Sequence, residues 1–546
     1  MFDMKKFLSE FVGSIEYKNV SGTDLSKVEV DSLVFDSRAV KAGSLFFALP
    51  GTHTTGNRFI ASAIKNGAVA VVYEGEITDD ENKSIEESKA GREVAFLKVK
   101  SSRFAMSPMS ACFYDYPSKK LVVYGVTGTE GKSSTVAFIW QLLRLSGFKA
   151  GFISTVQYSL GGEAIANPEH QTTPEATIVQ RELYEMLENG CTHAVVESSS
   201  HGLSEKTNRL GDVLFDCGAF MNVTLEHLEF HGTYEQYKSD KANLFRALDK
   251  HEHRKSIAGK ETVVPAVGIV NLEDPAAVYF ANCTANKVIG FTTEGKAGKH
   301  AVESGAVELP AVPSGIPVVS AKNIVSTSTG ISFDLTVGGK SVSVKAPVPG
   351  AFNAYNIMTA IISVNETTGK SIEELASACQ KLESVKGRMT VVDEGQPFEV
   401  IVDYAHTPSS FETIFPPVKN RCKGKIISVF GSGGERDTKK RPLQGKIAAE
   451  YCDYVILANE DPRGEDEMAL LRDIAAGSIE GGKVEGKDLF LIPDRPTAIR
   501  KAFALAGKDD IVLLLGKSHE NSIIFKDHIM PYDEISEAKK ALGELK

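Results

Sequence analysis

Apolar and polar positions divide the 546-residue chain into three stretches of different pattern. In the first, Val34-Phe35 lead into the polar Asp36-Ser37-Arg38, and 45–49 is an unbroken apolar run of buried-strand length. Phe59-Ile60-Ala61 opens a helix that runs to a Gly-Ala turn, and a strand follows at 69–72. Residues 1 to about 118 thus predict short strands and one clear helix. In the second, 121–126 is nearly continuous in apolar residues, as a central parallel strand is. Val136, Ile139, Leu142 and Leu143 then recur at helical spacing, and 194–196 and 218–221 predict further strands. Residues 283–349, rich in Gly, Val, Ser and Thr, predict β-hairpins, and 351–356 opens another helix. In the third, strand candidates at 400–402, 426–430, 454–457, 490–492 and 511–515 are mostly separated by helical stretches, the pattern of a doubly wound α/β sheet. The chain reads as three α/β domains, 1–118, 119–384 and 385–546.

Polar segments follow several of these strands: Asp403-Tyr-Ala-His406, Gly431-Ser-Gly-Gly-Glu-Arg436, Asn459-Glu-Asp-Pro-Arg463 and Gly516-Lys-Ser-His-Glu520. Open α/β sheets bind ligands at the carboxyl ends of their strands, so the candidate chemistry sits where the fold puts it. The sharpest motif lies between the strand at 121–126 and the helix after it: Gly128-Thr129-Glu130-Gly131-Lys132-Ser133-Ser134. A glycine-rich turn at a helix N-terminus offers backbone N–H groups and partial positive charge to phosphate. Lys132 would reach the β- and γ-phosphates of ATP, and the Ser133 hydroxyl would hold Mg²⁺. Val126 stands where the generic phosphate loop has glycine.

Composition narrows the classes. A net charge of -10 argues against a nucleic-acid or membrane-surface partner, which calls for a basic excess. Seven cysteines, scattered and without a CxxC pair, argue against a disulfide framework or structural zinc and fit a reducing compartment. Apolar residues near the N-terminus are interrupted by Ser9 and Glu10, unlike a signal peptide, and no apolar run approaches membrane-spanning length. A cytoplasmic monomer is expected.

The loop Gly125-Val-Thr-Gly-Thr-Glu-Gly-Lys-Ser-Ser134 resembles that of the Mur ligases, and further segments resemble the family in order. These are Asp36-Ser37-Arg38 with Gly43-Ser-Leu-Phe46; Thr172-Thr173-Pro174, Glu197-Ser-Ser-Ser-His201 and His227-Leu-Glu-Phe-His-Gly232; and Gly387-Arg388-Met389, Asp403-Tyr-Ala-His-Thr-Pro408 and Gly433-Gly-Glu-Arg-Asp437. The match spans nearly the whole chain. Within the family, the first segment and Gly516-Lys-Ser-His-Glu520 are most similar to the diamino-acid-adding ligases. The resemblance implies a small α/β uridine-binding domain, a central ATPase-like parallel sheet and a C-terminal Rossmann-like doubly wound sheet. It implies that ATP phosphorylates the free carboxylate of UDP-N-acetylmuramoyl-L-alanyl-D-glutamate and that an amino acid's amine displaces the phosphate.

Residue by residue, the resemblance gives Lys132, His227 and Lys241 the catalytic roles, with Lys241 carbamylated, and makes Ser133, Glu197 and His227 metal-site residues. Glu226 stands where the family has Asp. Asn356, Arg388 and Asp403 join the phosphate loop in holding ATP. Ser37, Thr52, His53 and Thr54 would contact the uridine diphosphate, and Thr172, Thr173, Ser199 and Arg209 the muramoyl-dipeptide. Arg436, Glu460, Asp461, Pro462, Arg463, Gly516 and Glu520 would form the amino-acid pocket. Arg463 favours a side-chain carboxylate, hence meso-diaminopimelate, whereas Asp461 favours the plain distal amine of lysine or ornithine; the sequence leaves these open. A folylpolyglutamate synthase of the same superfamily shares the phosphate loop but not the Asp36-Ser37-Arg38 domain, and a phosphate-loop ATPase or binding protein needs no third domain.

Overall fold

Three sheets follow one another along the chain in the computed structural model, which describes residues 4–51, 55–167, 171–224, 226, 228–293, 299–302, 305–308 and 315–545. The first has five strands in the order Lys18–Asn19, Ala95–Lys98, Ala70–Tyr73, Ser44–Phe47, Ser32–Val34, the last four parallel. The one helix expected here is Ile60–Asn66, stopped at Gly67 with φ 115°, where a Cβ would meet the Ala42 backbone at 2.8 Å. Two more helices, Asp79–Lys89 and Ser102–Phe113, accompany it. The former buries only Ile85, so it has no apolar stripe to read; its signal is the Thr78/Glu81 capping box. The latter carries Pro108 in its interior, which reads as a breaker.

The central sheet has eleven strands. Seven run parallel in the order Ala150–Ile153, His193–Glu197, Val122–Thr127, Cys217–Phe220, Val267–Asn271, Lys287–Thr293, Val318–Ser326. Ile331–Val337 and Lys340–Ala346 extend one edge as an antiparallel meander, and two short antiparallel strands close the other. The hairpin expectation for 283–349 therefore holds for the meander and for the small pair Lys299–Val302 and Gly305–Glu308, but not for Lys287–Thr293. That strand pairs in parallel on both sides, because the sheet it joins already runs that way. Val122–Thr127, buried at every position, is the middle of this sheet, and the helix Lys132–Leu145 that follows packs Val136, Ile139, Leu142 and Leu143 into a core shared with helix Asn353–Thr368.

The third sheet has the order Thr390–Val392, Glu399–Asp403, Ile511–Leu515, Ile426–Phe430, Tyr454–Leu457, Leu489–Leu491, parallel except for the first. The last strand in sequence is thus slotted between the second and third. That insertion gathers the polar segments beginning at 404, 431, 459 and 516 along one edge. All five residues of Ile511–Leu515 are buried, and truncating one of its leucines to alanine costs about 2–5 kcal/mol. Among the described residues no helix is long and apolar enough to cross a membrane.

Candidate active site

The phosphate loop leaves the sheet at Thr127 and enters its helix at Lys132. Gly131 has φ 84°, and a Cβ there would lie 2.7 Å from Asn356 Oδ1, so glycine is required and Asn356 is seated directly against the turn. Asn356 also accepts from Thr135 Oγ1 (3.1 Å) and donates to Asn353 Oδ1 (2.8 Å). Asn222, two residues beyond the strand Cys217–Phe220, clamps the loop: its Oδ1 accepts from Thr129 N (3.0 Å) and Glu130 N (2.8 Å). Thr129 Oγ1 lies 3.1 Å from the Tyr237 hydroxyl. The Lys132 ammonium folds over the loop onto the Thr129 carbonyl at 2.7 Å.

Glu197, 1% exposed at the end of the neighbouring strand, lies at the helix N-terminus. Its carboxylate accepts from Ser133 Oγ (3.1 Å), Thr155 N (2.9 Å), Thr155 Oγ1 (3.0 Å) and Ser154 Oγ. The Glu197 carboxylate and the Ser133 hydroxyl beside it are oxygen ligands, the kind a hard Mg²⁺ ion takes, and they fit that ion. His227 lies outside the described residues.

Arg388 and Asp403 line the cavity, and Lys241 lies behind its loop. Arg388, at the start of the third domain, reaches across to donate to Ser133 Oγ at 3.4 Å, and its guanidinium lies over the Tyr404 ring at 4.7 Å. Its Nε is buried without a partner, which leaves donor capacity for a ligand. Asp403 accepts from Met389 N and Ala405 N, both at 2.8 Å, and so fixes the turn that aims Arg388. Lys241, 2% exposed, donates to the Gly128 carbonyl at 2.6 Å. Burial, aided by the charge of Lys132, holds its amine well below the ordinary lysine range. The phosphate loop, Glu197, Asn356, Arg388 and Asp403 share one cavity of about 800 Å³ with Asn271, Glu273, Tyr355, Tyr404 and His406.

Glu130 also lines it, and Thr407 Oγ1 of the third domain donates to its Oε1 at 3.2 Å. Burial, then the nearby charge of Glu226, pushes this carboxyl up to about 7. A carboxyl raised in the folded state contributes stability that is full below its ordinary value of 4.5 and is lost as pH rises through about 7. The interval is worth ~3 kcal/mol. Glu130→Gln should therefore lose several degrees less in melting temperature than the wild type between about pH 5 and about pH 8. Parallel melting curves for the two proteins across that range would sink this reading.

The muramoyl-dipeptide candidates form a second cluster beside the first. Thr173 Oγ1 lies 2.9 Å from Ser199 Oγ and donates to the Glu197 carbonyl at 2.8 Å. Arg209 donates to the Thr173 carbonyl (2.9 Å) and to Glu175 Oε1 (2.7 Å), where Arg103 of the first domain also lands at 3.1 Å. Thr172 lines the phosphate cavity. Ser37 is buried in a turn of the first domain, with its carbonyl held by Asn66, away from these groups. Thr52, His53 and Thr54 lie outside the described residues.

The amino-acid candidates gather at the edge of the third sheet. Lys517, which the sequence did not single out, stands among them: its ammonium donates to Asp461 Oδ1 at 2.8 Å and to Glu520 Oε2. Burial opposes its charge, but Glu520 and Asp461 outweigh it and hold the lysine above its ordinary range. Asp461 also accepts from Ile524 N at 3.0 Å, so its charge is matched internally rather than offered to a ligand amine. Arg463 has its Nε buried without a partner, as does Glu460 its Oε2, against which Gly516 packs. Pro462 is buried, while Arg436 is exposed at the mouth. Beneath them the fully buried Arg495 donates to the carbonyls of Leu515 (2.7 Å) and Asn459 (3.3 Å) and pairs with Glu534, fixing the strand ends that carry Gly516 and Glu460. Asn222, His406, Lys517 and Arg495 were missed because each acts through partners in other segments of the chain, from 20 to 39 residues away for Arg495, or through neighbours in an unrecognised turn; a place shortly past a strand end is the only local hint for the first three.

Comparison with known proteins agrees with this division. Family models described as "Mur ligase family, catalytic domain", "Mur ligase middle domain" and "Mur ligase, glutamate ligase domain" match residues 29–114, 126–364 and 387–518. The chain is 53% identical to a UDP-N-acetylmuramyl-tripeptide synthetase of Treponema denticola over 98% of both chains. It is 35% identical to the UDP-N-acetylmuramoyl-L-alanyl-D-glutamate--2,6-diaminopimelate ligase of Geobacillus kaustophilus, over 94% of this chain and 95% of that one. A solved structure of such a diaminopimelate ligase superposes with TM-score 0.60 at 25% identity, covering 99% of each chain. The fold is shared as well with a MurF ligase of Thermotoga maritima in complex with ADP, at TM-score 0.60, 18% identity and 94% and 98% coverage.

Proposed function

We propose that this chain, which belongs to the Mur ligase family of ATP-dependent, ADP-forming amide ligases, joins a diamino acid to the D-glutamate of UDP-N-acetylmuramoyl-L-alanyl-D-glutamate. The observation that carries this reading is the meeting of two domains at one cavity. A phosphate loop bearing Lys132 is faced by Arg388, whose own domain carries the Arg463–Lys517–Glu520 cluster. A hydrolase needs only the loop; a ligase needs in addition a second substrate pocket delivered against it.

In the first step the substrate carboxylate attacks the γ-phosphorus of ATP, and the bond to the ADP oxygen breaks. Lys132 and Arg388 flank the phosphoryl group and offset the charge that spreads over its oxygens. A Mg²⁺ ion held at Ser133 and Glu197 would neutralise further phosphate charge. Thr173, Ser199 and Arg209 would hold the dipeptide carboxyl beside that point. Lys241, its basicity lowered chiefly by burial, is suited to take up CO₂ as a carbamate, turning a buried amine into an anionic oxygen ligand. In the second step an amine displaces phosphate from the acyl carbon. The reading takes 1–118, 119–384 and 385–546 as uridine-, ATP- and amino-acid-binding units of a cytoplasmic monomer, supported by each sheet drawing all its strands from one of them.

Release of ADP with ATP, the UDP-muramoyl dipeptide and a panel of lysine, ornithine and diaminopimelate isomers tests this. One diamino acid should stimulate release and appear in the product. Release that ignores both other substrates would leave an ATPase and sink the ligase reading.

A further inference from the structure

We infer that His406 is the base that relieves the incoming amino acid of its proton; this rests on the ligase reading above. His406 lies three residues past the strand Glu399–Asp403, and its backbone is held from three sides. Its N–H donates to Ser410 Oγ (3.1 Å), and its carbonyl accepts from Lys440 Nζ (3.1 Å) and Gln444 Nε2 (2.9 Å). The ring is thereby aimed. Nδ1 lies 2.8 Å from the Tyr404 carbonyl, which can only accept, so Nδ1 carries the hydrogen and Nε2 presents its lone pair. Burial, then the Lys440 charge, pushes the imidazole down to about 4, so it stands neutral at physiological pH.

Nε2 faces Glu226 Oε1 at 3.9 Å. A carboxylate oxygen and a ring lone pair at that separation form a seat for a cation with several N–H donors, which an ammonium is. Both residues line the cavity of Lys132, Ser133 and Arg388. On the other side, the Tyr404 ring lies 4.6 Å from the His406 ring, and its hydroxyl donates to Glu520 Oε1 at 3.4 Å, inside the amino-acid cluster. His406 therefore stands between the phosphoryl end of the cavity and the pocket that would present the amine. Charged groups around it have partners of their own: Lys440 the His406 carbonyl, Glu520 Lys517, Glu130 Thr407 and Arg388 Ser133 and Tyr404; the His519 ring lies 4.6 Å from that of Tyr404.

An ammonium has no lone pair and cannot attack. One of its protons passes to Nε2; the freed pair forms the C–N bond at the acyl carbon, and the C–O bond breaks with its electrons leaving on phosphate. The nitrogen's second proton ends on the departing phosphate, and the imidazolium returns its proton to water. The acyl phosphate dianion, once in the cavity, favours imidazolium and raises the basicity of the ring above that of the empty site.

His406→Gln separates this role from others when two nucleophiles are compared, each with ATP and the UDP-muramoyl dipeptide. Hydroxylamine is already unprotonated near neutral pH and needs no base. The variant should lose about 10²–10⁴-fold in kcat with the diamino acid and stay within a few-fold of wild type in forming hydroxamate. Its residual ligation should climb with pH as free amine accumulates. Equal loss with both nucleophiles, or undiminished ligation, overturns the assignment; His406→Asn provides the same comparison should the glutamine protein not fold. Failure of the wild type to form hydroxamate would instead sink the ligase reading itself.

Discussion

Lys132→Ala lowers the ligation rate by about 10³-fold or more while leaving the melting temperature nearly unchanged. The ammonium makes one bond in the structure, to the Thr129 carbonyl of its own loop, so little folding energy depends on it. In the proposed phosphoryl-transfer step it would flank the migrating group together with Arg388, which comes from a different domain and lies at 3.4 Å from Ser133. Removing a preorganised cation from a water-excluded site costs most when charge develops, so kcat falls further than KM for ATP rises. The substitution has a second consequence. After burial, the Lys132 charge lowers the basicity of the Lys241 amine, so its loss shifts Lys241 toward the protonated form and hinders any modification there. Initial-rate kinetics with all three substrates measure the effect; near-normal ligation by the alanine protein would refute the assignment of the loop.

Lys241→Ala abolishes ligation to a similar extent, and added formate, acetate or propionate restores part of it. A buried lysine with a carbonyl 2.6 Å away and, among the described residues, no carboxylate in ion-pair contact is an expensive residue to keep for packing alone. Desolvation favours the unprotonated amine, which is the state that attacks CO₂: the new N–C bond forms, a proton is lost, and the side chain becomes an anion. A small carboxylate diffusing into the space left by alanine supplies the same oxygens. ¹³C labelling of the active enzyme with CO₂ reads the modification directly. A bare lysine in the active wild type, or no rescue by any short acid, removes the carbamate from the mechanism while leaving the ligase reading intact.

The phosphate loop was legible because its constraints are local. A buried strand, a turn in which Gly131 must adopt positive φ and an amphipathic helix occupy consecutive positions, and each leaves a compositional mark. The parallel strands of the third domain were legible for the same reason: residues buried on both faces form unbroken apolar runs. Helix Asp79–Lys89 was not, since a helix that buries one residue has no apolar period to show. Strand Lys287–Thr293 read as part of a hairpin because parallel and antiparallel pairing use the same residues. Asp461 illustrates the same limit at the site. In sequence it adds a negative charge to the pocket; in three dimensions Lys517, fifty-six positions away, matches that charge at 2.8 Å.

By itself the sequence determined the α/β class, the order of the three large sheets and the glycine-bearing turn between a buried strand and the helix at Lys132, because hydrophobic period and turn chemistry act between neighbours in the chain. Only the tertiary structure decided that Ile511–Leu515 inserts between Glu399–Asp403 and Ile426–Phe430, that Arg388 faces Ser133, and that His406 faces Glu226. Those pairings join residues more than a hundred positions apart or strands out of chain order. They are settled by which buried surfaces fit together and which charges find partners, quantities that exist only once the chain has closed on itself.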